Sequence, residues 1–203
     1  YDLSRQIDSC DLVIRCNEAK TLGVNSGTRT DILCVNNSGA PATRFIEQKS
    51  LQKNPRFPEL AEIWFARPYP DCIEVSQKIL NANNLSDISI QYLSTEFNER
   101  ACDQLKMYGS VADQPPSTGF LAFRYILEQA AFDDFDKYIF GFTFNMWHGH
   151  PEQAEMKVIE SYCKNRNDFF FIPTESFWKL KRRVKAAYFY NLVKRIQNKF
   201  HVL

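Results

Sequence analysis

Two of the three histidines in this chain, His148 and His150, stand two residues apart in the segment MWHGHPEQAE. They follow an apolar, aromatic run, KYIFGFT, that is typical of a buried strand. Loops at the carboxyl ends of parallel strands are where open α/β sheets bind ligands, and an imidazole there can act as a base near neutral pH. We therefore take His150, with Glu155 five residues later, as a candidate catalytic pair. Two alternatives stay open: polar loop residues satisfied by backbone or water, and a zinc site, for which the spacing indicates no third ligand.

Two helix starts are clearly marked, and each is a potential anion site. In QPPSTGFLAF two prolines end the preceding element, Ser117 or Thr118 can cap the following helix, and Gly119 allows close approach of the backbone. In HGHPEQAEMKVI, Pro151 is predicted at the first helical position, with His150 at or beside the cap. Helix N-termini carry unpaired N–H groups and a positive dipole end, so two of them in one domain suit a nucleotide.

A strand-like run, DLVIRCN, ends in Asn17 and leads into a turn-rich loop. The carboxamide of Asn17 could hydrogen-bond a base or a ribose. Asparagine at the end of a strand is also a common turn former, so both interpretations stay open.

Short apolar runs alternate with amphipathic stretches, which predicts a doubly wound, mostly parallel α/β sheet rather than a sandwich or a bundle. The predicted strands are Asp11–Asn17, Thr30–Val35, Glu62–Ala66, Ile88–Leu93, Lys137–Thr143 and Asp168–Ile172. The predicted helices are Ile73–Asn83, Phe97–Tyr108, Thr118–Ala131, Pro151–Cys163 and Thr174–Phe200.

Composition excludes several classes of protein. A hydrophobic content of 44% in 203 residues can supply a core, which argues against a mostly disordered chain. The net charge of +1 argues against a nucleic-acid-binding protein whose affinity rests on overall charge. No apolar run is long enough for a transmembrane helix, and the first twenty residues lack the apolar stretch of a signal peptide. Because the chain begins at Tyr1 rather than Met, we expect it to be part of a longer protein.

The six cysteines include no Cys-x-x-Cys pair, and several lie in apolar runs where a thiol packs as a small hydrophobe. This pattern predicts reduced cysteines in a cytoplasmic protein, with a secreted disulfide framework as the alternative.

The C-terminal segment 176–203 is strongly basic. From Lys179 to Lys199 it has eight basic residues and no acidic one, interleaved with apolar residues near helical spacing. A basic amphipathic helix of this kind can lie on an anionic membrane surface, here the inner face of the membrane. The alternative is a helix packed on the sheet with its basic face in solvent. We therefore predict two parts, an α/β domain over 1–175 and a basic helix over 176–203.

Three segments, taken in order, resemble the motifs of one family: glycosyltransferase family 29, the animal-type sialyltransferases with their bacterial and viral relatives. IDSCDLVIRCNEAKTLGVNSGTRTDIL resembles the latter two thirds of the large sialylmotif, PSTGFLAFRYILEQAAFDDFDKYIFGF the small motif, and HPEQAE the very small motif. Residues 41–114 match no motif. The opening of the large motif, with a first strand, is expected to precede Tyr1.

The resemblance implies inverting transfer of sialic acid or the related Kdo from a CMP-sugar to a hydroxyl of a glycan or glycolipid, without metal or other cofactor. It implies a Rossmann-like sheet, a variant of the GT-A glycosyltransferase fold. His150 would be the general base and Glu155 its support, while His148 would stand in for a histidine that contacts the donor phosphate. The implied donor-binding residues are Asn17, Ser117, Thr118, Gly119, Gly141, Phe142 and His148.

Two other functions stay open. A nucleotide-dependent α/β enzyme of another kind, such as a methyltransferase or a nucleotide hydrolase, is disfavoured because the chain has neither G-x-G-x-x-G nor G-x-x-x-x-G-K-[ST]. A non-enzymatic α/β module would instead dock acidic partners through the basic helix.

Ala130 and Ala131 stand where vertebrate family members have a disulfide-bonded cysteine, which agrees with a reduced, cytoplasmic protein.

Overall fold

Strands and helices alternate along the chain, as the alternation of short apolar runs and amphipathic stretches predicts. The computed structural model describes residues 2–19, 25–51, 60–85, 87–111, 114–142 and 149–172. Its strands are β1 (Ile14–Cys16), β2 (Ile32–Val35), β3 (Glu62–Phe65), β4 (Ser89–Tyr92), β5 (Lys137–Phe140) and β6 (Phe169–Ile172). Its α-helices are α1 (Ser4–Asp8), α2 (Gly39–Glu47), α3 (Pro70–Ala82), α4 (Thr95–Met107), α5 (Thr118–Glu128) and α6 (Glu152–Asn165).

The first four strands form one parallel sheet in the order β1-β2-β3-β4. Since all four strands run in one direction, their carboxyl ends meet at a single edge, which is the edge where α/β sheets bind ligands. The prediction of a parallel α/β sheet is thereby confirmed. The order of these four strands contains no reversal, so the doubly wound arrangement and the likeness to the GT-A fold stay predictions.

Helices cover both faces of this sheet. Alternate side chains of a strand point to opposite faces. Leu33 packs with Phe45 of α2 and Ile79 of α3 in the buried core on one face. On the other face Trp64 makes an edge-to-face contact with Tyr125 of α5, with ring centroids 4.8 Å apart. Burial on both faces is typical of parallel strands in α/β proteins and explains their apolar runs.

The described residues fall into two compact units. One takes in Tyr1–Gln104 with Pro116–Asp133, and the other Leu105–Pro115 with Asp134–Leu203. The first contains the four-stranded sheet. In the second, β5 and β6 pair in parallel, with Lys137 opposite Phe169, and α6 packs against β6.

The six predicted strands are all present, each trimmed at one or both ends. The helix predicted over Thr118–Ala131 ends at Glu128, because Gln129 is extended and a short 3-10 turn follows. Pro151 was predicted as the first helical residue, but its backbone is not helical and α6 begins at Glu152. Helix α2 lies where the sequence predicted none. The helix predicted over Thr174–Phe200, and with it the segment 176–203, lies outside the described residues.

No helix in the described part of the chain is long and apolar enough to cross a bilayer.

Candidate active site

Asn17 lies at the carboxyl edge of the four-stranded sheet and ties two strands together there. Its backbone N–H donates to the carbonyl of Cys34 at 2.8 Å, and its Oδ1 accepts from the N–H of Asn36 at 2.9 Å. Its φ of 52° is left-handed, a conformation that asparagine adopts more readily than most residues. The turn-forming role is therefore present in the structure. No described residue accepts a hydrogen bond from its Nδ2.

Ser117 caps α5, as one of the two residues predicted to do so. Its Oγ accepts from the N–H of Phe120 at 3.1 Å while its own backbone is extended, which is the geometry of an N-cap. Thr118 is the first helical residue and is buried with Ser117, whereas Gly119 is partly exposed. The first turn of α5 contains no acidic residue.

The structure brings Asn17 and the start of α5 together around one residue, Cys34. The thiol of Cys34 donates to the carbonyl of Thr118 at 3.9 Å, and the carbonyl of Cys34 accepts from Asn17. Two of the segments identified from sequence thus meet at the carboxyl ends of β1 and β2.

Two cysteines at this edge, Cys16 and Cys34, have thiols that are less acidic than usual. Burial raises the pKa of Cys16 to about 12 and also raises the pKa of Cys34 well above its usual value. Both therefore stay protonated at neutral pH, and the thiol is much less reactive than the thiolate. All six cysteines of the chain are free, as expected for reduced thiols.

Arg67 is a buried residue at the same edge that sequence analysis missed. It follows β3, is 8% exposed, and its Nη2 donates to the carbonyl of Pro116 at 2.9 Å. Its position directly after the buried run EIWFA was the available signal, since a charged residue there lies at the ligand-binding edge of a parallel sheet. No motif covers this part of the chain, so sequence analysis gave it no role.

His150 lies just before α6, in the second unit, where its Nδ1 is 2.8 Å from the carbonyl oxygen of Pro115. A carbonyl oxygen can only accept, so Nδ1 must carry the hydrogen. In the neutral ring the basic lone pair is then on Nε2. The residue is partly exposed, as a base that meets a substrate has to be.

Glu155 lies in the first turn of α6 and has no exposed surface. A carboxylate buried to this extent does not meet a dissolved substrate directly. Its burial is compatible with a supporting role within the second unit.

Gly141 and Phe142 follow β5. Gly141 has a φ of 74°, a left-handed conformation that glycine adopts without steric cost, and it is exposed, whereas Phe142 is half-buried. His148 lies outside the described residues, so its predicted contact with a phosphate and the zinc alternative stay untested. Within the described ranges no group of three or more His, Cys, Asp or Glu side chains is placed to hold a metal ion.

The predicted site residues fall into both units. The first unit contains Asn17, Ser117, Thr118 and Gly119, and the second contains Gly141, Phe142, His150 and Glu155.

Comparison with known proteins gives one family and one distant relative. The family model for glycosyltransferase family 29 (sialyltransferase) matches residues 2–128, which include Asn17, Arg67 and the start of α5. The urease operon 23 kDa accessory protein of Rhizobium meliloti (strain 1021) is 24% identical over 173 residues, covering 76% of this chain and 80% of that protein. No solved structure matches the chain significantly.

Proposed function

Because the chain belongs to glycosyltransferase family 29, the sialyltransferase family, we propose that it transfers a sugar from a CMP-activated donor to a hydroxyl of a glycan or glycolipid. Sialic acid and Kdo are the two candidate sugars. The transfer inverts the anomeric centre, since the acceptor attacks from the side opposite the leaving nucleotide.

The donor half of the proposal rests on the edge formed by Asn17 and the start of α5. The carboxamide of Asn17 is fixed by its bond to Asn36, so its remaining N–H donors have a set direction toward a base or ribose. The N-terminus of α5 offers backbone N–H groups and a positive dipole end to the phosphate. Gly119, without a side chain, allows the nucleotide to approach this turn closely.

The observation that most directly supports a base role for His150 is its bond to the Pro115 carbonyl. That bond selects the tautomer with its lone pair on Nε2, the nitrogen that accepts the acceptor's proton. As the acceptor oxygen bonds to the anomeric carbon, the bond from that carbon to the phosphate oxygen breaks and its electron pair leaves with CMP. The hydroxyl proton passes to Nε2, and the Pro115 carbonyl stabilises the imidazolium that results.

Replacing His150 distinguishes two roles for this residue, a general base and a donor of a structural hydrogen bond. Asn can still donate to the Pro115 carbonyl but cannot accept a proton, so His150→Asn is the informative variant and His150→Ala its companion. We expect both to lower kcat for transfer by about 10²–10⁴-fold, the usual contribution of a general base, and to leave CMP affinity within about threefold. The measurement is steady-state transfer together with calorimetric titration of CMP.

The same titrations discriminate among the donor classes. CMP should bind measurably more tightly than UDP, GDP, ADP and S-adenosylmethionine. A preference for another nucleotide would favour a different nucleotide-dependent enzyme, and no affinity for any of them would favour a binding module. Full activity in His150→Asn would assign His150 a positioning role and remove it as the base.

A further inference from the structure

Arg67 is a buried cation without a carboxylate partner among the described residues. Its guanidinium keeps its charge in proteins, and burial of a charge without an opposite one is unfavourable. Burial lowers its pKa, and the ionisable groups that act on it most strongly are a phenol and three thiols rather than carboxylates: Tyr69, Cys102, Cys72 and Cys34.

The guanidinium also lies at the wrong end of a helix for a cation. Its Nη2 bonds to the carbonyl of Pro116, the residue before the cap of α5, at 2.9 Å. The N-terminus of α5 has a positive dipole end, and no acidic side chain in the first turn offsets it. Two positive features therefore converge at one place, which is unfavourable unless an anion joins them.

Neighbouring amides hold Arg67 rigidly. The Oδ1 of Asn37 accepts from the backbone N–H of Arg67 at 2.8 Å, and Nδ2 of the same fully buried Asn37 donates to the carbonyl of Arg67 at 2.8 Å. The side chain is fixed by Pro116 and by the Oδ1 of Asn98, which accepts from Nη1 at 3.3 Å. A guanidinium has about five N–H donors in one plane, and these two neutral partners accept from two of them. The other N–H groups have no acceptor among the described residues.

We propose that Arg67 and the N-terminus of α5 form an anion subsite that takes the phosphate of the nucleotide donor. The inference rests on the proposed function and adds a residue outside all three motifs. Because the donors are fixed before the ligand arrives, they need no rearrangement as negative charge develops on the leaving phosphate oxygen.

The test compares CMP with cytidine, which lacks the phosphate, and with inorganic pyrophosphate, which lacks the nucleoside. CMP, cytidine and inorganic pyrophosphate are titrated into the wild-type protein, into Arg67→Gln and into Arg44→Gln. Arg44 is the matched control, an arginine of the same unit that has a carboxylate partner, Glu18, at 3.2 Å. We expect Arg67→Gln to weaken CMP by about 10- to 100-fold, as for the loss of a hydrogen bond to a charged group, and to leave cytidine within about threefold. Arg44→Gln should change neither.

A purely structural role for Arg67 would weaken CMP and cytidine equally, and that result would overturn the inference. Circular dichroism checks the fold. If Arg67→Gln does not fold, Arg67→Lys is used in its place. Lysine keeps the positive charge but lacks the planar set of guanidinium donors, so the affinity for CMP should fall several-fold and the affinity for cytidine should not change.

The outcomes also separate this inference from the proposed function. CMP binding that does not depend on Arg67 would overturn the subsite and leave the function standing. Pyrophosphate binding that depends on Arg67, without affinity for cytidine compounds, would overturn the function and support the subsite. No binding of any of the three ligands would overturn both.

Discussion

The hydroxyl of Ser117 caps α5 at the helix end where we propose that the donor binds. It accepts from the N–H of Phe120, a buried residue whose N–H would otherwise lack an acceptor, and it stands at the helix end that we assign to the phosphate. If the donor binds there, removal of this oxygen should lower both the free energy of unfolding and the affinity for the donor.

Ser117→Ala should lower the free energy of unfolding by about 1 kcal/mol, the typical effect of losing an N-cap, and should also weaken CMP binding. Ser94→Ala is the matched control, because Ser94 Oγ accepts from the N–H of Phe97 at 3.2 Å in the same way at the start of α4. Urea unfolding and CMP titration of both variants provide the comparison. Because Ser94 is exposed, Ser94→Ala should lower the free energy of unfolding by a similar or smaller amount and should leave the CMP affinity unchanged. Equal losses of CMP affinity in the two variants would contradict a donor site at α5.

At the scale of elements, the central strands were predictable because each is a short apolar run whose side chains are buried. EIWFA is an example: Ile63, Trp64 and Phe65 are all buried in β3. Helix α2 was not predictable, since Gly39 and Pro41 in NNSGAPA indicate a turn. Its helical state depends on Ala42 and Phe45 packing against the core, a tertiary contribution that local propensity does not contain.

The candidate site residues also divide into those with a local sequence signal and those that depend on tertiary contacts. Ser117 at a helix start and Asn17 at a strand end carry local signals, namely a cap residue and a turn residue. The only local signal for Arg67 is its position directly after a buried strand, and that position assigns it no role. Its partners are a helix end and two buried amides that are far apart in sequence. Residues of the first kind are predictable from one sequence, whereas residues of the second kind become visible only once the chain is folded.

An ion-pair cluster joins the starts of β5 and β6 and gives the second unit a dependence on pH. Asp168 accepts hydrogen bonds from Arg166 at 2.7 Å and from Lys137 at 3.0 Å. The Arg166 bond, followed by the Lys137 bond, lowers the pKa of Asp168 below its usual value. A carboxyl whose folded pKa is lowered stabilises the fold above its unfolded pKa, about 3.9, and loses this contribution as the pH falls toward the folded pKa.

Asp168→Asn should therefore be less stable than the wild type at pH 7, and the difference should shrink as the pH falls below about 4. Urea midpoints measured from pH 7 to pH 3 test this. Glu74→Gln is the control, because the Glu74–Lys78 pair on α3 is exposed and such pairs contribute little. A difference between wild type and Asp168→Asn that stayed constant down to pH 3 would show that the pKa of Asp168 is not lowered.

For the whole molecule, charge is balanced overall but not along the chain. The net charge is +1, yet the stretch from Lys179 to Lys199 has eight basic residues and no acidic one. If this segment lies on an anionic membrane, it brings the enzyme to acceptors that are themselves lipid-linked. If it packs on the protein instead, it adds to the free energy of unfolding and does not bind membranes.

Vesicle binding separates these two roles of segment 176–203. The full chain should sediment with vesicles rich in phosphatidylserine and not with neutral ones, and added salt should weaken the binding because it screens the charges. Removal of 176–203, or replacement of Lys181, Arg182, Arg183 and Lys185 by Gln, should abolish it. Neutralising four charges leaves the apolar residues in place, so a loss in both variants identifies electrostatic attraction as the cause. If all three proteins bound vesicles equally, the segment would not be the cause of the binding. If the full chain did not bind vesicles and truncation lowered the urea midpoint, the segment would contribute to the fold instead.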